Sequence, residues 1–176
     1  MQRTILIHGL ASGAIIILGM IATIVFSRGG APHSNVWLGY LIMLVGLSAI
    51  LMAVKSHRDK ALGGVIRFWP ALLVGLGVAL VAGLAYVVIW EAYLALTDYT
   101  FMEQYVAATL AQKKAAGLSG AEYAKLASDL EAMKRSYANP LLRMPMTFAE
   151  IFPVGVLVAL VSAALVRNPK FLPAKA

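Results

Sequence analysis

Three ionisable side chains beside long apolar runs are the residues of this sequence best placed to do chemistry. Glu91 and Glu150 each stand next to aromatic residues near the edge of an apolar run, and Arg143 precedes Glu150 by seven positions. Ionisable groups at membrane depth mark ion or substrate sites by default, although an acid close to a base also forms a structural ion pair or helix cap. Both interpretations stay open, because nothing in the sequence sets the distance between the two carboxylates.

The histidines and the familiar catalytic motifs add little to this set. Haem held between helices needs two facing histidines, and only His8 lies within an apolar run, whereas His33 and His57 do not. No pair of histidines or acids has metal-ligand spacing. No glycine-rich phosphate loop, nucleophile elbow or Ser/His/Asp arrangement occurs. We therefore predict no cofactor, no metal site and no enzymatic activity.

The composition places these residues in a membrane protein. Of the 176 residues, 61% are hydrophobic and 13% are charged, whereas a soluble domain carries about 25% charged residues. Four apolar runs predict one domain, residues 1–176, with transmembrane helices over about 5–26, 36–54, 68–90 and 146–166. The first run is longer than the apolar core of a signal peptide, about 7–15 residues, so it is predicted to be a retained span.

A polar insert separates the third and fourth predicted spans. Thr100 with Glu103, and Ser119 with Glu122, have the spacing of capping boxes that begin two helices. Apolar residues at helical spacing give each helix one stripe: Met102, Val106 and Leu110 in the first, and Tyr123, Leu126, Leu130, Met133 and Tyr137 in the second. Residues 98–139 are therefore predicted to form a helical hairpin whose two stripes bury each other.

Small residues recur every fourth position in the third and fourth predicted spans. This spacing places them on one helix face, where a neighbouring backbone can approach closely. The predicted packing residues are Gly75, Ala79 and Gly83 in the third span, and Gly155, Ala159 and Ala163 in the fourth.

The distribution of Lys and Arg predicts the orientation of the chain. The N-terminal end, the segment after the second span and the tail carry eight such residues, whereas the first turn has only Arg28. The central group that sets the topology is Lys55, Arg58, Lys60 and Arg67. The positive-inside rule then places both termini in the cytoplasm and the hairpin outside. The net charge of +7 therefore fits membrane orientation, and no nucleic-acid partner is predicted.

Four stretches resemble a bacterial four-span membrane family catalogued as domain of unknown function 4199. They are HRDKALGGVIRFWPALLVGLG (57–77), YLALTDYTFMEQY (93–105), YANPLLRMPMTF (137–148) and EIFPVGVLVALVSAALVRN (150–168). The family tends to have an aromatic residue before the Arg-Asp pair, where this chain has His57. The resemblance covers nearly the whole chain and supports the four-span fold, but it implies no activity. With the orientation given above, we expect an inner-membrane protein whose hairpin lies in the periplasm of a Gram-negative cell.

Two functions follow as hypotheses. The first is a non-enzymatic structural or accessory protein whose residues 98–139 contact another copy of the chain or a neighbouring membrane or periplasmic protein. The alternative is a small oligomeric transporter or channel that uses Glu91 and Glu150. Essential carboxylates in a flux assay would favour the alternative, whereas tolerance of their amides would favour the first.

Overall fold

The computed structural model describes residues 1–26 and 36–174, and every regular element in these ranges is an α-helix. In chain order the helices are α1 (Gln2–Phe26), α2 (Val36–Leu47), α3 (Ala49–Ala61), α4 (Phe68–Leu96), α5 (Phe101–Ala115), α6 (Gly120–Tyr137) and α7 (Pro140–Val166). Among the described residues, four helical stretches are long and apolar enough to cross a membrane: Gln2–Phe26, Trp37–Ala61, Phe68–Leu96 and Pro140–Val166. The prediction of an all-helical fold with four helical stretches able to span a membrane is confirmed for the described residues.

The helices are longer than the apolar runs that predicted them. The second span continues to Ala61, so that residues 55–61 form the last helical turns of α3 rather than a loop. The fourth span begins at Pro140 instead of Met146, and α4 continues to Leu96 instead of ending at Trp90. Hydropathy detects only the apolar part of a span, whereas backbone hydrogen bonding continues into flanking polar turns.

A local irregularity at Ser48 separates α2 from α3. The Ser48 hydroxyl donates to the carbonyl of Val45 at 2.6 Å, and the Ser12 hydroxyl of α1 donates to the carbonyl of Gly46 at 2.8 Å. Hydroxyl groups that bond helix carbonyls compete with the regular backbone ladder and bend helices. The two helices nevertheless form one continuous candidate span.

α4 is the central helix of the bundle, because it packs against α1, α3 and α7. Its buried face carries small residues and Val, together with Tyr86 and Trp90, whereas Leu73, Leu80 and Leu84 on its other face are exposed. Exposed leucines at helical spacing form an apolar outer surface, which suits contact with lipid chains.

Arg58 connects the end of α3 to the chain that follows α7. Its side chain is completely buried. The guanidinium donates to the carbonyls of Val166 at 3.3 Å, Phe171 at 2.9 Å and Leu172 at 2.5 Å. Helix C-termini leave carbonyls without intrahelical partners, so a buried arginine satisfies acceptors that would otherwise be costly to bury.

α5 and α6 pack against each other and have the bounds expected from their sequence signals. Met102, Val106 and Leu130 are buried between them. The predicted capping-box hydrogen bonds are absent: the Thr100 hydroxyl donates to the carbonyl of Thr97, and the Ser119 side chain makes no cap bond. Two residues with positive φ, Asp98 at 52° and Tyr99 at 55°, separate α4 from α5.

Candidate functional site

Arg143 and Glu91 form a bidentate ion pair between α7 and α4. Nε of Arg143 donates to Oε1 of Glu91 at 2.7 Å, and Nη2 donates to Oε2 at 2.5 Å. Arg143 is buried, with 3% of its side chain exposed, and Glu91 is mostly buried. Two parallel hydrogen bonds of this kind are strong and geometrically specific. Both oxygens of Glu91 are therefore engaged by a compensating charge.

The remaining nitrogen of Arg143 attaches α6 to the same cluster. Nη1 donates to the carbonyl of Tyr137 at 3.0 Å, at the last residue of α6. The guanidinium carbon also lies 5.2 Å from the centre of the Tyr99 ring and 5.7 Å from that of Tyr137. Because the carbonyl end of a helix carries partial negative charge, a buried cation is favoured there. Arg143 thus joins α4, α6 and α7 at one end of the bundle.

The local sequence explains why Arg143 points toward this cluster. The Asn139 side chain accepts a hydrogen bond from the backbone N–H of Leu141 at 3.0 Å, which is the arrangement of an N-cap. Pro140 occupies the first helical position, where its missing N–H costs little. These two residues begin α7 directly after α6, so Arg143 lies in the first turn and faces α4.

An aromatic cluster next to the ion pair connects α4 to α5 and α6. The indole N–H of Trp90 donates to the Tyr137 hydroxyl at 2.7 Å. The Trp90 ring stacks on Tyr93 at a centroid distance of 5.3 Å and meets Phe101 edge-on at 4.9 Å. Burial raises the pKa of Tyr137 above its ordinary value.

Glu150 is not part of the ion pair. Among the described residues no hydrogen bond or salt bridge reaches its carboxylate, and Arg143 is already occupied by Glu91. Since α7 begins at Pro140, Glu150 lies ten residues inside the helix, about 15 Å along its axis. It borders a cavity.

The cavity has a volume of about 410 Å³ and lies where the spans meet α5 and α6. In the part of the chain that the structure describes, its walls combine methionine thioethers and aromatic rings with one carboxylate, and no Lys, Arg or His contributes to them. The lining residues are Met20, Gly39, Tyr40, Met43, Tyr86, Trp90, Phe101, Met102, Tyr105, Met133, Tyr137, Met146 and Glu150. Such a lining suits an apolar ligand with one polar or charged group.

The small residues of α4 and α7 face each other across the helix interface. A Cβ atom built on Gly75 would lie 2.9 Å from Cβ of Ala159, and one on Gly155 would lie 2.8 Å from Cβ of Ala79. Gly83 instead faces the Phe148 ring, at 2.6 Å from Cε2. Ala163 is completely buried as well. The helices approach closely at these positions because no larger side chain separates them.

The four basic residues proposed to set the topology have different surroundings. Arg58 is the buried residue that holds the chain after α7, and Lys55 forms an ion pair with Asp59. Lys60 and Arg67 are exposed. Sequence reasoning counted Arg58 as one more surface charge, because a pattern of charges does not indicate which one meets buried carbonyls.

Two of the three histidines lie within the described residues. The ring Nδ1 of His8 lies 2.9 Å from the carbonyl of Thr4, one turn earlier in α1. His57 is half-buried in the last turns of α3. His33 lies outside the described residues. In the described part of the chain, no three His, Asp or Glu side chains cluster as metal ligands would.

Sequence reasoning missed the cavity and the hydrogen bond between Trp90 and Tyr137. Tyr137 and Met133 were assigned only to the stripe between α5 and α6, and Trp90 only to the edge of a span. Tyr86 had no recognisable signal, since a tyrosine in an apolar run is normally interfacial or packed. The methionines give no sequence signal for the cavity either, because the five that line it come from five different helices.

Residues 7–168 match a family model described as Protein of unknown function (DUF4199). This match covers nearly the whole chain and confirms the resemblance seen in the four quoted stretches. Comparisons with curated proteins and with solved structures found no match.

Proposed function

We propose that this chain, which belongs to the DUF4199 family of proteins of unknown function, is a non-enzymatic inner-membrane protein that docks onto protein partners through α5 and α6. The observation that carries the proposal is the attachment of this helix pair to the bundle. Arg143 holds the end of α6 through the Tyr137 carbonyl, and Trp90 holds the Tyr137 hydroxyl. A pair fixed in this way presents its outer faces in a constant orientation, which lowers the ordering cost of binding.

The outer faces of α5 and α6 suit a protein partner better than a lipid or nucleic-acid surface. Lys113, Lys114, Glu122, Lys125 and Asp129 are exposed. Residues 98–139 carry five acidic and five basic side chains, so their net charge is zero. Binding to anionic lipid or to nucleic acid depends on an excess of positive charge. The proposed partner is therefore another copy of the chain or a neighbouring membrane or periplasmic protein.

The proposed orientation follows from the positive-inside rule. Short segments at the ends of spans count most, and Lys60, Arg67, Arg167 and Lys170 belong to such segments. This orientation puts both termini in the cytoplasm of a bacterial cell and places α5 and α6 in the periplasm.

Cysteine labelling is expected to report this orientation directly. The chain contains no cysteine, so a single introduced thiol is the only target for a maleimide. Ser119 and Ala61 are both exposed, at opposite ends of the proposed topology. Ser119→Cys should react in intact cells with a membrane-impermeant maleimide, and Ala61→Cys should react only after the membrane is opened. The reverse labelling pattern would refute the orientation.

Shortening the distal part of α5 and α6 is expected to remove partner binding without unfolding the spans. Replacing residues 108–127 by a short Gly/Ser linker keeps Phe101, Val106, Leu130 and Tyr137, which pack near the bundle. A photo-crosslinking residue at exposed Ala116 of the full-length chain should capture protein. The shortened protein should insert normally but lose the corresponding complex, measured by its size in mild detergent.

The matched control carries the same photo-crosslinking residue at Leu157, a 62% exposed side chain in the middle of α7. This position should crosslink to lipid. The docking proposal is wrong if Ala116 also crosslinks only to lipid, or if the shortened chain keeps the same complex size and the same partners.

A second candidate function is supported by Glu150 alone. Its carboxylate borders a cavity and has no basic partner among the described residues. A transporter or channel would use such a group, whereas Glu91 is neutralised by Arg143 and suits that role poorly. Transport would make Glu150→Gln inactive in a flux assay, whereas a docking protein would tolerate this substitution.

A further inference from the structure

We propose that the cavity beside Glu150 binds a lipophilic organic cation, with the carboxylate opposing its charge and the aromatic rings packing around it. The volume of about 410 Å³ lies within the range of small-molecule sites, about 300–1,000 Å³. The site is separate from the outer faces of α5 and α6, and the proposal does not depend on partner docking.

The charge of the ligand follows from the residues around the cavity. Within residues 1–26 and 36–174, Glu150 is the only lining side chain, apart from the tyrosines, that carries an ionisable group. The nearest base along α7 is Arg143, and Glu91 holds it in two hydrogen bonds. An anionic carboxylate inside a span is costly without a partner. A cation in the cavity would supply the missing charge, whereas an anionic ligand would be repelled.

The chemical class of the cation follows from the remaining walls. Tyr86, Trp90 and Tyr137 border the cavity, and electron-rich rings of this kind attract organic cations. Methionine side chains such as Met43 and Met146 adapt their shape to irregular apolar ligands. A small metal cation would need several oxygen ligands, and the described lining offers only one carboxylate and tyrosine hydroxyls. An acyl chain would satisfy the apolar walls but would leave the carboxylate without a counter-charge.

The position of Glu150 suits a ligand that reaches the site through the membrane. Glu150 lies ten residues, about 15 Å along the axis, from the first residue of α7. Tyr40 and Met146, two residues of the cavity wall, are exposed on the outside of the bundle. A cation that partitions into lipid can approach from this side.

Equilibrium binding of radiolabelled tetraphenylphosphonium to the full-length protein in detergent tests this proposal. Unlabelled tetraphenylborate has nearly the same size and shape but the opposite charge, so it serves as the competitor. We expect saturable binding of the cation at one site per chain, with tetraphenylborate failing to compete. Glu150→Gln should weaken binding about tenfold or more, because the variant loses the carboxylate that opposes the charge of the cation.

The control substitution is Glu122→Gln, which removes an exposed carboxylate from α6 that does not border the cavity. This variant should bind tetraphenylphosphonium as the unaltered chain does. The proposal is overturned if the unaltered chain shows no saturable binding, or if Glu150→Gln and Glu122→Gln bind equally. Effective competition by tetraphenylborate would also overturn it and would indicate a site for apolar chains. That comparison uses only the unaltered protein, so it decides the question even if Glu150→Gln fails to fold.

Discussion

Replacing Arg143 by methionine is expected to destabilise the protein by about 3 kcal/mol, because it leaves the mostly buried carboxylate of Glu91 without its partner. The change also removes the donor to the Tyr137 carbonyl, so the end of α6 loses this hydrogen bond to the Arg143 side chain. Unfolding of the detergent-solubilised protein by SDS, followed by circular dichroism, measures the difference in free energy of unfolding. We expect α5 and α6 to become more accessible to protease at the same time.

Two further variants distinguish the loss of the ion pair from a general effect of losing one positive charge on stability. Arg135→Met removes an exposed arginine from α6 and should change the free energy of unfolding by less than about 0.5 kcal/mol. The double variant Glu91→Gln, Arg143→Met should be more stable than Arg143→Met alone, since no unpaired charge remains in it. If Arg143→Met and Arg135→Met have the same stability, the ion pair does not hold this end of the bundle.

Gly75→Leu is expected to destabilise the protein by about 3 kcal/mol or more, because Gly75 lies against the backbone of α7. A Cβ atom added to Gly75 would lie 3.2 Å from Cα of Ala159 and 2.9 Å from its Cβ. The remaining atoms of leucine would have to push α7 away from α4, because backbone cannot rotate out of the way as a side chain can. Thermal unfolding in detergent should show a clear decrease in Tm.

Gly77→Leu is the matched control, because it adds the same atoms to the same helix two residues later. Its Cβ would meet only the side chain of Ile5, with Cδ1 at 2.9 Å, and the end of that side chain can move. We expect a loss of about 1 kcal/mol or less for this variant. Gly83→Leu should fall between the two, since the neighbouring Phe148 ring is rigid but is not backbone. Equal Tm values for Gly75→Leu and Gly77→Leu would contradict the close contact of α4 with α7.

The roles assigned to the acidic residues depend on which of them has a partner. Glu91 and Glu150 have similar settings in the sequence, beside aromatic residues and near the same base. In the folded chain Arg143 binds Glu91 in two hydrogen bonds, and Glu150 faces a cavity instead. One acid therefore stabilises the attachment of α6, and the other remains available to a ligand.

The amino-acid sequence by itself determined the four spans and the bounds of α5 and α6. Long apolar runs are sufficient to predict the four spans. An α-helix pairs its backbone N–H and C=O groups within one segment, as the interior of a membrane requires. The bounds of α5 and α6 are indicated by local signals. These signals are the glycine at position 117, helix-starting residues such as Ser119, and apolar residues at helical spacing. These signals are local, so they act through residues only a few positions apart.

The surroundings of Arg58, Arg143 and Glu150 were decided only by the tertiary structure. Arg58 meets carbonyls more than 100 positions away, at Val166, Phe171 and Leu172, and Arg143 meets Glu91 across 52 positions. Charged groups interact according to their distance and burial in the folded chain, and the pattern of residues along the sequence predicts neither of these quantities. The cavity has the same origin, because its walls come from six helices and exist only where those helices fail to fill the space between them.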